Sequence, residues 1–104
     1  MNFLGEPVTP ERVVEAYSAT GLTPVGMVWV TADGLCGCAL TALVLASGHR
    51  VEKGMGLMEM AEIGGCGVDE ASSFVAGFDG EYRGHSSNKE AYDLGRSIGL
   101  RVLP

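Results

Sequence analysis

Cys38-Ala39-Leu40-Thr41-Ala42-Leu43-Val44-Leu45-Ala46-Ser47-Gly48 carries no charged side chain, and its apolar residues fall on every face at helical spacing. A helix that is apolar all round has to be covered all round. In a chain of 104 residues this makes it the central element, with the remainder arranged as its cover. The pattern predicts a helix over about residues 36–47, stopped by Gly48.

Upstream, Thr9-Pro10-Glu11 has the order of a helix start: a capping hydroxyl, a proline in the first turn and an acid facing the positive end of the dipole. Val13, Val14 and Tyr17 supply its apolar stripe, and Gly21 suits a left-handed stop. Val25-Gly26-Met27-Val28-Trp29-Val30-Thr31 is rich in β-branched and aromatic residues and is expected to be a strand, turning at Ala32-Asp33-Gly34. Both faces of that strand are apolar, so it is expected to be covered on both sides or to pair across an interface.

Downstream, residues 49–55 form a polar connection. Leu57, Met60 and Ala61 mark a short helix closed by Gly64-Gly65. Asp69 is expected to cap the next helix, striped by Ala71, Phe74, Val75 and Phe78 and ended at Asp79-Gly80. Ser87-Asn88-Lys89-Glu90 matches a capping box for a last helix through Ala91, Leu94, Gly95 and Ile98, ended by Gly99. Leu100-Arg101-Val102-Leu103 then reads as a strand that pairs with 25–31, in this chain or in a neighbouring one. The expected fold is thus α+β, mainly α: four or five short helices around the buried one, with a small sheet from 25–31 and 100–103. Gly77 and Gly95 interrupt strong helical patterns at about 1 kcal/mol each against alanine. Close approach of the last two helices would offset that cost, although a helix ending at Gly77 would also explain the first of them.

Hydrophobic residues at 46% and charged residues at 19% describe a folded chain, expected to be one globular domain over 1–104. A net charge of -6, with the two lysines and five arginines scattered, excludes an electrostatic nucleic-acid binder. The apolar run at 38–48 is too short to span a bilayer, so no membrane partner is expected. Met1-Asn2-Phe3-Leu4-Gly5-Glu6 lacks the marks of a signal peptide, and three cysteines do not make a disulfide framework. The expected setting is the cytoplasm, with reduced thiols.

Cys36, placed where the turn meets the central helix, is the best nucleophile candidate, because a thiol facing a helix N-terminus can ionise more readily. Against it, free cysteines are usually small buried hydrophobes, and the spacing to Cys38 is not that of a redox pair. A zinc site would have to combine Cys36, Cys38 and Cys66 with His49 or His85, without the usual paired spacing, so no metal and no cofactor is expected. Residues 34–37 could offer backbone N–H groups to an anion, though they match no phosphate-binding pattern. Asp79-Gly80-Glu81-Tyr82-Arg83-Gly84-His85 admits an acid–base pair, His85 as base oriented by Asp79 or Glu81. A solvated loop explains the same residues.

Met55, Met58 and Met60, beside Gly54 and Gly56, have the flexibility of an adaptable groove, and Trp29 is the natural aromatic partner for it. Core filling is their commoner role. The preferred expectation is a non-enzymatic binding module that self-associates and takes a protein partner or small molecule. The alternative is a small thiol or acid–base enzyme built on Cys36 or His85.

Overall fold

The computed structural model describes residues 1–52 and 55–104. The helical cover predicted around the apolar stretch is present. Helix α1 spans Pro10–Thr20, α2 Ala39–Ala46, α3 Leu57–Gly64, α4 Val68–Asp79 and α5 Lys89–Val102. Two minimal sheets complete the described fold: β1 (Asn2–Phe3) antiparallel to β2 (Glu6–Pro7), and β3 (Thr23–Pro24) parallel to β4 (Cys36–Gly37).

Local chemistry sets most helix ends. Thr9 Oγ1 accepts the Arg12 N–H at 3.1 Å, Pro10 fills the first position, and Gly21 closes α1 at φ +72°. Gly56 starts α3 with its N–H donating to Glu59 Oε2 at 3.0 Å, and Gly65 closes it in the left-handed region. Gly67, not Asp69, is the N-cap of α4; Asp69 and Glu70 sit in its first turn, near the positive dipole end. Asn88, one residue beyond the expected Ser87, caps α5 by accepting the Ala91 N–H at 3.0 Å.

The central helix is buried as its composition requires. Ala39, Leu40, Thr41, Ala42, Leu43 and Val44 are all at most 3% exposed, and only its C-terminal end reaches solvent. It starts at 39 instead of 36, because Cys36-Gly37 is drawn into pairing with Thr23-Pro24. Phe3, Val13, Met60, Phe74 and Ile98 pack in the same core at 0% exposure.

Helices α4 and α5 lie backbone against backbone. A Cβ on Gly77 would stand 2.0 Å from the Tyr92 carbonyl oxygen, and one on Gly95 2.0 Å from that of Phe74. The close-approach reading of both glycines therefore holds, and α4 continues past Gly77 to Asp79. Gly99 is used in the same way, its Cβ position lying 2.5 Å from the Phe78 carbonyl oxygen. It does not end α5.

The expected sheet from 25–31 and 100–103 is not formed. Residues 100–102 continue α5, and the Leu103 N–H still donates to the Gly99 carbonyl. With no proline to block it, the helical hydrogen-bond series runs on. Residues 25–31 are irregular, pairing only through an isolated bridge between Val30 and Gly37. Met27 at φ +68° turns the chain out of extended geometry, and its N–H is claimed by Asp79. The small sheets of the protein lie elsewhere, at 2–7 and at 23–37.

Candidate functional site

The parallel pair β3–β4 holds the ends of residues 25–35 side by side, so the intervening chain is presented as one surface loop. Its inner edge is fixed through the backbone. Cys38 N–H donates to the Trp29 carbonyl at 3.1 Å, Thr31 N–H to the Cys36 carbonyl at 2.9 Å, and Val25 N–H to the Gly37 carbonyl at 3.2 Å. Tyr17, buried in α1, donates its hydroxyl to the same Gly37 carbonyl at 2.9 Å. Its outer edge is apolar and bare: Met27 is 73% exposed, Leu35 63% and Val28 44%.

Beside this loop lies an open groove of about 800 Å³, walled by Met27, Val28, Trp29, Val30, Val51 and Met55. Its volume falls within the roughly 300–1,000 Å³ of small-molecule sites. Asp33 and Glu52 are the charged residues lining it among those described. The Thr31 hydroxyl, 2.5 Å away, and then the Leu35 N–H hold the Asp33 carboxyl below its usual value, so Asp33 is ionised at neutral pH.

A second, smaller recess of about 140 Å³ shares Met27, Val28 and Trp29 with the groove and reaches inward to Cys38, Val75 and Asp79. Asp79 Oδ1 accepts the Met27 N–H at 2.8 Å. Burial pushes the Asp79 carboxyl up, the Met27 hydrogen bond opposes that, and Glu81 adds to it. Burial likewise pushes up the Tyr17 phenol and the Cys38 thiol, and the Asp79 charge contributes to both.

The candidates named from sequence are divided by the fold. Met55 and Trp29 do line the groove together. Met60 points into the core at 0% exposure, and Met58 stands on the solvent side of α3 at 71%; helical phase separates residues two apart by about 200°. Gly54 lies outside the described residues. Cys36 is half-buried in β4, its N–H bonded to Thr31 Oγ1 at 3.2 Å, three residues before α2 begins. The position at the dipole belongs to Cys38, which is 2% exposed, bonded to Thr41 Oγ1 at 3.4 Å and pushed away from the thiolate. The dipole argument for Cys36 therefore fails.

The anion reading of residues 34–37 fails for a related reason: the N–H groups of Gly34, Leu35 and Cys36 are already given to Thr31 and Asp33. His85 lies exposed on a single 3-10 turn, Arg83–His85, edge-on to the Tyr82 ring at 4.9 Å. Asp79 is turned toward Met27, so the proposed His85–Asp79 pair is not assembled. No hydrogen bond joins His85 to Glu81 either, among the described residues. Among those same residues no three His, Cys, Asp or Glu side chains gather as metal ligands, so Cys36, Cys38, Cys66 and either histidine do not form the zinc set.

Met27, Val28, Val30, Val51 and Glu52 are among the groove residues that sequence reasoning missed, as are Cys38 and Val75 among the walls of the recess. Met27, Val28 and Val30 carried a signal, lying in the same apolar run as Trp29. Comparison with known proteins finds no family that matches the chain, no curated protein and no solved structure similar to it. Among the described residues no helix is long and apolar enough to cross a membrane.

Proposed function

We propose that this protein is a non-enzymatic binding module whose groove, lined by residues 27–34 with Val51, Glu52 and Met55, takes an apolar segment of a protein partner. The observation that carries this reading is the 800 Å³ groove itself, apolar in its walls and acidic at its rim. Exposed methionine and valine beside the single tryptophan give a surface that adapts to an apolar anchor. Ionised Asp33, with Glu52 and an overall charge of -6, favours basic residues flanking that anchor. Among the described residues the serine–histidine contact is Ser47 Oγ to His49 Nδ1 at 3.0 Å, and the Ser47 hydroxyl donates to the Val44 carbonyl at 2.7 Å instead of to the imidazole.

The test is a displayed library of random twelve-residue peptides, selected on the wild-type protein and then titrated with Trp29 fluorescence as the readout. Selected peptides are expected to pair apolar anchors with Lys or Arg and to bind Val28→Asp at least about tenfold more weakly. Peptides that bind Val28→Asp equally well, or a selection that yields none, overturn the reading. Sedimentation at high concentration separates the other occupant: self-association abolished by Val28→Asp would assign the groove to a second copy of the chain.

A further inference from the structure

We propose that the recess between Trp29 and Asp79 receives an unbranched primary ammonium, presented as the lysine side chain of the segment lying in the larger groove. The lysine source rests on the binding function proposed above; the ammonium site stands on its own geometry. The recess and the groove share Met27, Val28 and Trp29, so a chain seated in one can send a side chain into the other.

Size selects the group. At about 30 Å³ for each water-sized heavy atom, 140 Å³ accommodates roughly five. A lysine side chain has four methylenes and one nitrogen, whereas the larger, forked guanidinium of arginine overfills the space. The walls fit the stem as well: Val28, Trp29 and Val75 are apolar, and the Cys38 thiol is kept neutral by burial.

Charge selects it too. Asp79 is the carboxylate that lines the recess among the described residues, and only Oδ1 is engaged, by the Met27 N–H. Oδ2 has no hydrogen-bond or ion-pair partner among the described residues; the ion pairs there are Arg12–Glu6, Arg83–Asp93 and Arg101–Glu11. The other titratable groups that face Asp79 are Tyr17 from α1, Cys38 at the start of α2 and Glu81 beyond α4, and none is a cation. Arg96 of α5 lies beside Gly80 and makes no ion pair with Asp79. A half-buried carboxylate with no ion-pair partner among the described residues is costly to keep ionised, and an incoming ammonium relieves that cost.

The experiment titrates n-butylammonium chloride into ¹⁵N-labelled full-length protein at constant ionic strength, following the amide shifts of Met27, Trp29 and Asp79. Saturable shifts are expected for n-butylammonium, at least about tenfold weaker for n-butanol and tert-butylammonium. Asp79→Asn keeps an acceptor for the Met27 N–H and is expected to lose the ammonium response while retaining the wild-type spectrum elsewhere. Val75→Leu, which narrows the recess and leaves the carboxylate, is expected to lose it as well. Equal responses to butanol and butylammonium, or an unchanged Asp79→Asn response, overturn the site.

A second arm compares acetyl-Leu-Val-Lys-Val-Leu-amide with its norleucine counterpart. Preference for the lysine peptide, lost in Asp79→Asn, supports the full proposal. Two peptides that bind alike overturn the lysine assignment and leave the groove function standing. Butylammonium bound where neither peptide binds sustains the ammonium site, overturns its lysine source and counts against the groove reading.

Discussion

Replacing Gly95 with alanine sets two physical effects against each other with opposite signs. Helix propensity alone favours the change by about 1 kcal/mol, because alanine restricts the unfolded chain and glycine does not. Packing opposes it. The new Cβ would stand 2.0 Å from the Phe74 carbonyl oxygen and 3.0 Å from the Phe78 nitrogen, against at least 3.4 Å in ordinary contact. The obstacle is backbone, so no rotamer change relieves it, and α4 must retreat from α5 by about 1.4 Å locally. That retreat loosens Phe74, Phe78 and Ile98, all at most 1% exposed. Overpacking of this kind costs about 1–3 kcal/mol, and a backbone clash belongs at the upper end or beyond. The expected net loss is about 1–2 kcal/mol, a fall in Tm of roughly 5–15 °C for a domain of this size. Thermal unfolding followed by circular dichroism measures it. A Gly95→Ala protein that melts above the wild type would refute the backbone-contact account and leave propensity in control. Combining it with Gly77→Ala is expected to cost less than the two single losses together, since one opening of the pair relieves both clashes.

Three further outcomes follow from the site. Timed alkylation with iodoacetamide at neutral pH, read by mass spectrometry, is expected to label half-buried Cys36 well before Cys38, whose thiol is enclosed and pushed up by burial. Tyr17→Phe removes the hydroxyl donor to Gly37; because that carbonyl keeps the Val25 N–H, the loss measured by urea unfolding should stay near about 1 kcal/mol. For Asp79, burial raises the folded-state value above the unfolded one, so the folded protein holds that proton more tightly. Its contribution to stability is lost as pH rises through the raised value. Asp79→Asn is therefore expected to melt with the wild type near about pH 2.5 and above it at neutral pH; a variant that melts lower at neutral pH contradicts the sign.

Where a few adjacent side chains decide geometry, the fold was readable in one dimension. Thr9-Pro10 and Gly21 bound α1, Gly64-Gly65 and Asp79-Gly80 ended α3 and α4, and the uncharged stretch at 39–44 was buried as its composition demanded. The phase of Leu57, Met60 and Ala61 already placed Met60 in the core, which weakens any groove that also includes Met58. The other failures come mostly from partners distant in sequence. Residues 25–31 have the composition of a strand, yet a carboxylate at position 79 holds Met27 in a turned conformation. Gly99 resembles a helix stop until α4 is seen against it. Cys36 is removed from α2 by a bond pattern shared with Thr23. The groove depends on the same long-range bonds, so Trp29 and Met55 were foreseeable as residue types but not as neighbours of Val51 and Glu52.

The short parallel pair at 23–24 and 36–37 has a consequence for how this protein can vary. Because its two feet are clamped together, residues 25–35 can be exchanged or lengthened while the clamp stays shut, and closing a longer excursion adds only about 0.6 kcal/mol for each doubling. The segment is thus a natural cassette for grafting, and descendants of this chain can acquire new recognition by rewriting it while the five helices stay unaltered.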